Sequence, residues 1–460
     1  MTGSSAPHAA GYAPSRHDPV VRAATRFIGG PWGDHAAPGR RGLSGVAATV
    51  VVLGSLMVAV GVLQKGYCLA YGWSDPDQFW RACYSDVAVV TVSSALAEGS
   101  MPYSGQSPSD QPVLSGLVLW VLTVISPASG GDVPTQRWTF GLWAVLATVL
   151  LALATQALVS LQQERPWQAA HLAVSPVIAL LALISVDLVG ILLVIWALWA
   201  WQRDRPMTSG ALLGLAVLLR PFPLVFLLAA VFLAWRTGQR QHAVRVVAST
   251  AVTAAVAYAP FLALFGDGAT LAPRRFLSSG PGYGGSTLVP SLFGAPVSTT
   301  VATVVALTGW VVAAAVGVGL SRRLVGNRDV RTLIALAAPM MLTVILTSKT
   351  VSVQTGLWML PFLALSALPW RDHLLWAAAE VIHFEATWLY IGFGSDPGRG
   401  LPADAYGACV VLRAVAWTWV LARVWTRAGE APGAYGARSS LPDVVPDSRS
   451  RWASATRSSG

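Results

Sequence analysis

The chain has 460 residues, of which 54% are hydrophobic and 11% charged, so it is too long and too apolar to fold around one soluble core. Its formal net charge of +10 does not indicate nucleic acid as a partner, because the basic residues are scattered between apolar stretches and in two tails. The composition predicts an all-α polytopic membrane protein in which arginine marks the topology.

Residues 1–42 are rich in Gly, Pro, Ala and Arg and show no apolar periodicity, which predicts a disordered cytoplasmic tail. The first apolar stretch, 43–63, is long enough to cross about 30 Å of hydrocarbon. Arg40 and Arg41 precede it and place the N-terminus in the cytoplasm. A signal peptide is the alternative, but no A-x-A-like cleavage site follows and the preceding tail is too long.

Residues 64–137 are predicted to form a first outer loop. On an oxidising face Cys68 and Cys83 would close a loop of about 16 residues and add roughly 3 kcal/mol of stability, although two free thiols are the alternative. The apolar stretch 113–126 is too short for a full crossing and indicates an interfacial or re-entrant helix. If residues 113–126 do not cross the membrane, the later arginine-rich loops lie in the cytoplasm, as the charge bias of membrane proteins requires.

A second helix is predicted within this loop, starting at Asp86. Apolar residues recur there at helical spacing, while Ser, Asp and Glu residues supply a polar face, so the helix is expected to lie on the membrane surface. A carboxylate at its start is favoured by the helix dipole. Asp86 is either a functional group or only the cap of this helix, and the spacing does not separate the two.

Eleven further apolar stretches predict about twelve membrane crossings in a transmembrane domain of residues 43–424, followed by a second disordered cytoplasmic tail at 425–460. The two stretches beside Arg220 are predicted to form a hairpin, because Pro221 and Pro223 break the backbone; one long helix over 207–235 is the alternative. The predicted stretches are 138–159, 169–185, 187–201, 208–219, 221–235, 246–265, 298–320, 332–347, 355–368, 374–392 and 405–424.

This topology brings the unusual polar residues to the outer side. Ionisable groups at membrane depth are costly and are kept mainly where they meet a partner or a cavity, so the set predicts a polar site beside a lipid-facing wall. Structural ion pairs are the alternative. The residues concerned are Asp86, Glu98, Asp187, Arg220, Tyr283, Lys349 and Gln354.

Three polar residues of the stretch 374–392, Glu380, His383 and Glu385, are interpreted first as contacts between helices and second as a wall of a lipid cavity. Elsewhere there is no P-loop, dinucleotide fingerprint, H-E-x-x-H or Cys-x-x-Cys, and the histidines lack metal-ligand spacing. No cofactor and no metal are therefore predicted.

Four segments together resemble actinobacterial members of the GT-C superfamily of membrane glycosyltransferases. They are CYSDV with a downstream LAEGSMPY, LLGLAVLLRPFPLVFLLA, SGPGYGGSTLVPSL and TSKTVSVQTGLWMLPFLALSAL. The resemblance covers roughly residues 43–424 and is nearest to the mannosyltransferase branch. It implies a multi-pass plasma-membrane enzyme with its site facing the exterior, which takes a polyprenyl-phosphate sugar donor and a lipid-linked or glycan acceptor.

The resemblance also implies roles for individual residues. Asp86 matches the outer-loop aspartate that acts as catalytic base, and Arg220 stands where relatives place a cation near the donor phosphate. Lys349 and Gln354 match a K-x-x-S-x-Q-like element that faces the cavity, and Trp358 is a further candidate substrate contact in the same segment. The chain departs from the family pattern in having valine where relatives have proline after the serine, and Ser-Asp-Gln-Pro in place of Glu-Tyr-Pro.

The residue chemistry independently fits such a transfer. A lipid phosphate can leave without a metal if cations bind its oxygens, and a single carboxylate base predicts one displacement with inversion. Two other classes remain open. A transporter or lipid flippase would have a similar number of spans, although no internal repeat with paired broken helices is visible, and a non-catalytic cell-envelope scaffold would need no base.

Overall fold

The computed structural model of the protein describes residues 23–24, 26–27, 43–105, 109–323, 329–366 and 368–428, so both predicted tails fall almost entirely outside the described residues. All regular elements in these ranges are helical. The main helices are α1 Leu43–Gln64, α2 Asp86–Ser93, α3 Val113–Val124, α4 Val133–Leu161, α5 Pro176–Leu181, α6 Asp187–Gln202, α7 Pro206–Val217, α8 Pro223–Arg236, α9 Arg240–Phe265, α10 Leu271–Ser278, α11 Thr299–Ser321, α12 Val330–Thr347, α13 Leu360–Leu365, α14 Trp370–Phe393 and α15 Ala403–Ala428.

Shorter helical pieces connect these elements. The α-helical ones are Gly66–Tyr71, Asp77–Trp80, Ala170–Ala173 and Val289–Leu292, and the 3-10 turns are Ala95–Glu98, Pro166–Ala169, Ser286–Leu288, Val353–Met359 and Pro397–Arg399.

Six helices of the described chain are long and apolar enough to cross a membrane: α1, α4, α9, α11, α12 and the stretch that contains α15. Several shorter apolar helices pack between them, including α3, α6, α7 and α8. The all-α membrane class is therefore confirmed, whereas the count of twelve crossings stays a prediction. The last helix reaches Ala428, four residues beyond the predicted end of the transmembrane domain.

Two predicted spans are wrong as continuous helices. The stretch 169–185 is divided at Ser175, whose Oγ accepts a hydrogen bond from the Val177 amide at 3.3 Å, and Pro176 then starts α5 because it has no N–H to continue the preceding turn. The stretch 355–368 is a 3-10 turn, Val353–Met359, followed by the six residues of α13. Both segments are buried between longer helices rather than forming regular spans themselves.

The predicted hairpin around Arg220 is confirmed, because α7 ends at Val217 and α8 starts at Pro223. Two glycines of α7 let it approach α9 closely. Thr250 Oγ1 donates to the Gly210 carbonyl at 2.9 Å, and a Cβ added to Gly214 would lie 2.6 Å from the Thr250 carbonyl oxygen. Small residues at a helix interface allow this close backbone approach, which fixes the hairpin against α9.

The two ends of the helix bundle carry different residues. Ser279 and Gln354 lie at the end where α9 finishes and α11 begins, whereas Arg240 and Arg323 lie at the opposite end. We call the end that carries Ser279 and Gln354 the site end. The helix α3 is held near the site end at its start, where the Leu114 amide donates to the Leu218 carbonyl at 3.1 Å. The loop after α3 returns to the first outer loop, where the Gly130 amide donates to the Ala97 carbonyl at 3.1 Å.

The predicted disulfide between Cys68 and Cys83 is confirmed. The loop that it closes lies directly before α2, and both sides of Cys83 are held by further bonds. Trp73 Nε1 donates to the Cys83 carbonyl at 2.8 Å, and Gln64 Nε2 donates to the Ala82 carbonyl at 2.7 Å. The crosslink thus ties the end of α1 to the start of the segment that carries Asp86.

Replacing both cysteines of this disulfide by serine is expected to cost roughly 3 kcal/mol of stability, because the unfolded chain regains the freedom of the open loop. Thermal unfolding of the detergent-solubilised protein measures the loss. The bond itself is checked by alkylation without reductant followed by intact mass: one added group, at the free Cys409, is expected. Addition of three groups would contradict the disulfide.

Candidate active site

A cavity of about 770 Å³ opens at the site end, and it is lined by the start of α3, by the end of α7 with the turn that follows it, and by α9, α10, α11 and α12. Its wall is mainly apolar, with Tyr258, Phe276 and Trp310 as large contributors. Such a cavity has the size and lining typical of a site for an extended apolar ligand with a few polar groups. Besides Tyr258, the polar residues of the wall are Asp110, Arg220, Ser348, Thr350, Ser352 and Thr355.

Asp86 is the first residue of α2, and it lies close enough to the wall residue Arg220 to interact with its charge. Gln354 Nε2 donates to Asp86 Oδ2 at 3.3 Å, and the Tyr84 hydroxyl also hydrogen-bonds the carboxylate. The preceding Ser85 Oγ donates to the Leu183 carbonyl at 2.7 Å, which anchors the start of α2 to the helical core. Asp86 is not the N-cap residue, and its carboxylate is held by Gln354 and Tyr84, so the view that it only caps α2 loses its support.

The surroundings of Asp86 raise the pKa of its carboxyl group above that of an ordinary aspartate. Burial raises its pKa to about 6, against the lowering effects of the Tyr84 hydrogen bond and of Arg220. Asp187 and Asp110 add smaller effects that raise the pKa further. Asp86 is therefore mainly ionised at neutral pH, yet it binds a proton more readily than an exposed aspartate does.

Arg220 and Asp187 form an ion pair at the cavity wall. Arg220 Nε donates to Asp187 Oδ1 at 2.8 Å, and the Asp187 side chain is only 1% exposed. Asp187 lies in the first turn of α6, where the helix dipole stabilises its negative charge. Among the described residues, none accepts a hydrogen bond from the two terminal nitrogens of Arg220, whose side chain is 23% exposed. Arg220 is thus held in place through Nε, it lines the cavity, and its outer donors are left for a ligand.

Lys349 is placed differently from its predicted role. Its side chain is fully buried, and Nζ donates to the Ser279 carbonyl at 2.8 Å and to Thr303 Oγ1 at 2.9 Å. It also lies 4.5 Å from the centre of the Phe276 ring. Lys349 does not line the cavity, although its neighbours Ser348 and Thr350 do. In this arrangement the ammonium joins the chain that follows α12 to α11 and to the loop after α10.

The structure does not bring the other predicted site residues to the cavity wall. Glu98 is exposed at the end of a 3-10 turn, and Trp358 is fully buried in the core, against Phe222. Tyr283 makes an edge contact with Tyr390 rather than lining the cavity. Of the predicted site residues, Arg220 lines the cavity, Asp187 is bonded to it, and Asp86 and Gln354 are bonded to each other nearby, whereas Glu98, Trp358 and Tyr283 do not belong to this group.

The interpretation of Glu380 as a contact between helices is confirmed, because it forms a buried ion pair with Arg413 of α15 at 3.0 Å. His383 is buried on the same helix and Glu385 is exposed. None of the three lines the 770 Å³ cavity. The second interpretation, a wall of the lipid cavity, has no support for these residues.

Some contributors to the site were not identified from the sequence. Tyr84 acts on Asp86 through a hydrogen bond, and its position two residues before the aspartate was the only available signal. Asp110 lines the cavity and pairs with Arg275 at 3.3 Å across its edge. Ser352 and Thr355 lie on either side of Gln354 in the chain, and both line the cavity. Ser352 is the serine of the K-x-x-S-x-Q-like element, whereas Thr355 follows that element.

An all-helical membrane protein with a carboxylate and an arginine beside an apolar cavity has the layout of a membrane-embedded enzyme. The family model of Glycosyltransferase family 87 matches residues 112–348, slightly more than half of the chain, and the chain belongs to this family, which is of the GT-C type. It is a membrane glycosyltransferase. No curated protein matches the chain. The matched range includes Arg220 but ends before Gln354 and starts after Asp86.

Proposed function

We propose that this protein transfers a hexose, mannose by its resemblance to the mannosyltransferase branch, from a polyprenyl-phosphate donor to a glycolipid or glycan of the cell envelope. The proposed site faces the exterior. The observation that carries the proposal is the position of Arg220, which lines a mainly apolar cavity next to a carboxylate of raised basicity. Such a pairing suits a substrate that is apolar at one end and anionic where it reacts.

The donor is assigned to the 770 Å³ cavity by its chemistry. An isoprenoid chain gains free energy from contact with the apolar wall and with the surrounding lipid. The phosphate requires donors at one end of that wall, and the guanidinium of Arg220 can give two parallel hydrogen bonds to its oxygens. Hydroxyl groups of Ser352 and Thr355 lie on the same wall and can donate to the phosphate or the sugar.

The proposed reaction is a single displacement at the anomeric carbon. Asp86 removes the proton of the acceptor hydroxyl while that oxygen forms a bond to the anomeric carbon. The bond from this carbon to the phosphate oxygen breaks, and its electron pair leaves with the polyprenyl phosphate. Arg220 stabilises the negative charge that develops on the leaving oxygen. The products are the glycosylated acceptor and polyprenyl phosphate, and Asp86 returns its proton to water.

Inversion of the anomeric configuration follows from this arrangement. A retaining enzyme generally uses two carboxyl groups, one of them as a nucleophile. Here the neighbouring carboxylates are engaged by cations: Asp187 by Arg220 and Asp110 by Arg275. Asp86 is held by neutral donors alone, so it is the carboxylate assigned as base.

The test is transfer by the purified full-length chain in proteoliposomes that contain a polyprenyl-phosphate mannose and an envelope lipid extract. Mass spectrometry should detect a lipid or glycan heavier by one hexose, with polyprenyl phosphate released. Transfer from a soluble sugar nucleotide but not from the lipid donor would overturn the proposal, and a chain inactive with both donors would favour a transporter or scaffold.

In intact cells an impermeant thiol reagent should label Ser279→Cys and not Arg323→Cys if the site faces outward.

The dependence of the rate on pH gives a separate prediction. Asp86 must be ionised to act as base, so kcat/KM is expected to fall tenfold per pH unit below about pH 6 and to level off above it. Initial rates from about pH 4.5 to about 8 measure this, with the fold checked at each pH by size-exclusion chromatography. A rate that stays constant down to the lowest pH would show that no group with this pKa acts as base.

A further inference from the structure

The segment between α12 and α13 brings together the two halves of the site. Its residues Ser348, Thr350, Ser352 and Thr355 line the cavity, while Gln354 donates to Asp86. Residues 348–352 lie outside the helices. Their backbone is bonded to an earlier loop, because the Gly282 amide donates to the Lys349 carbonyl at 2.7 Å and the Val351 amide donates to the Tyr283 carbonyl at 3.1 Å. We call residues 348–355 the wall segment. Its position determines both the shape of the cavity wall and the hydrogen bond to the base.

One side chain from α15 binds the wall segment through its backbone. Arg413 Nη1 donates to the Val351 carbonyl at 2.7 Å, and Nη2 donates to the carbonyls of Ser352 and Val353, each at 3.2 Å. Three consecutive carbonyl groups thus share one guanidinium. Arg413 is only 2% exposed, so these carbonyls have no ready replacement in bulk water.

The charge of Arg413 is balanced by Glu380 of α14. Arg413 Nε donates to Glu380 Oε1, and Nη2 donates to Oε2, both at 3.0 Å. Trp417 Nε1 also donates to Glu380 Oε1. All five hydrogen bonds of the guanidinium therefore end on two targets, the carboxylate and the wall segment. A planar fork with fixed donor directions orients what it binds, which a single ammonium group cannot do.

We propose that Arg413, oriented by Glu380, is a positioning residue that holds the wall segment so that Gln354 meets Asp86 and the segment's hydroxyl groups face the donor. This inference rests on the proposed function. Arg413 lies outside the range that the family match covers, which ends at Ser348. Arg413 does not touch the carboxylate of Asp86, so its effect on the reaction passes through the wall segment.

A second ion pair between the same two helices provides the matched control. Arg423 Nε donates to Asp372 Oδ2 at 3.1 Å, again joining α15 to α14, but neither residue contacts the wall segment. The Asp372 side chain is fully buried, as Glu380 nearly is. The Arg423 side chain is more exposed than the Arg413 side chain, 34% against 3%, and Asp372 also accepts from Arg371 at 3.4 Å. The control therefore shows whether loss of an ion pair between α14 and α15 is by itself enough to lower the rate.

The test compares Arg413→Met/Glu380→Leu with Arg423→Met/Asp372→Leu in the full chain. Removing both partners avoids an unpaired buried charge, and apolar replacement of such pairs often preserves folding. With rates normalised to monodisperse protein, the Arg413 variant is expected to lower kcat about 10²-fold, because small displacements of catalytic groups have effects of this size. The control is expected to stay within about threefold of wild type. Equal effects of the two double variants would overturn the proposal.

A mutant cycle separates positioning from general damage. In a Gln354→Ala background the Arg413→Met/Glu380→Leu change should lower kcat by about tenfold or less, because part of what Arg413 positions is already missing. The same fold loss in both backgrounds would overturn the proposal.

Hydrogen exchange provides a readout that does not need transfer. Amides of residues 348–355 should exchange faster in the Arg413 variant and not in the control. Unchanged exchange would overturn the positioning role even if the wild-type chain proved inactive. Conversely, absence of transfer by wild type together with the expected exchange would count against the proposed function and leave the role of Arg413 in place.

Discussion

Replacing Asp86 by asparagine is expected to lower sugar transfer at least about 100-fold, the effect typical of losing a general base. Asparagine has almost the same volume, and its side-chain oxygen can still accept the hydrogen bonds from Gln354 and Tyr84. Folding and donor binding should therefore change little. Initial rates in proteoliposomes, with donor binding followed by retention of the lipid donor on the purified protein, measure the two effects separately.

The matched control is Asp110→Asn, a change of the same kind within the cavity wall. Asp110 already pairs with Arg275 and is not assigned as base, so its replacement is expected to cost less than about tenfold in kcat. An Asp86→Asn protein with wild-type kcat would remove Asp86 from the mechanism. Glu98 is exposed at the end of its turn and Asp187 is committed to Arg220, so neither is poised to replace it.

Replacing Arg220 is expected to have the second large effect, on kcat/KM for the lipid donor. The change to glutamine removes the cation that binds the donor phosphate and stabilises its departure, and loss of one such donor typically costs about 10²-fold. It also leaves Asp187 buried without its partner. The double variant Arg220→Gln/Asp187→Asn removes this complication, since both members of the pair are then neutral. Steady-state rates at varied donor concentration measure the loss.

Lys349→Gln is the informative comparison for Arg220, because the sequence assigned both cations to the donor phosphate. In the structure the Lys349 ammonium is engaged by Ser279 and Thr303, while Arg220 lines the cavity and is bonded to Asp187 through Nε alone. Arg220→Gln/Asp187→Asn should therefore impair donor use more than Lys349→Gln does. An equal rise in the KM for the donor in both variants would show that Lys349 reaches the phosphate. A wild-type kcat/KM in the Arg220 double variant would show that Arg220 does not bind the donor phosphate.

Features that depend on neighbours in the chain were predicted well. Apolar runs identified the long helices, and the two prolines after Arg220 predicted the break between α7 and α8. The same local reasoning went wrong where an apolar run did not continue as one helix. The stretch 169–185 is divided at Ser175 and Pro176, and 355–368 begins as a 3-10 turn. Hydropathy reports burial in an apolar environment, not the regularity of the backbone within it.

The candidate site shows the same limit. Asp86 and Arg220 were identified because a carboxylate and an arginine next to apolar stretches are conspicuous in the sequence. That Gln354, 268 residues further along the chain, donates to Asp86 was not visible in any spacing. Nor could spacing show that Arg413 binds three carbonyls of the wall segment while Lys349 turns away from the cavity.

The sequence by itself determined the membrane class and the carboxylate and cation types on which the proposed chemistry depends. Composition and local pattern fix these properties because they depend on the hydrophobicity and charge of residues near one another in the chain. Only the tertiary structure decided which polar groups meet. Partners such as Glu380 and Arg413, or Asp86 and Gln354, are chosen by helix packing, which brings distant residues together and excludes water from around them.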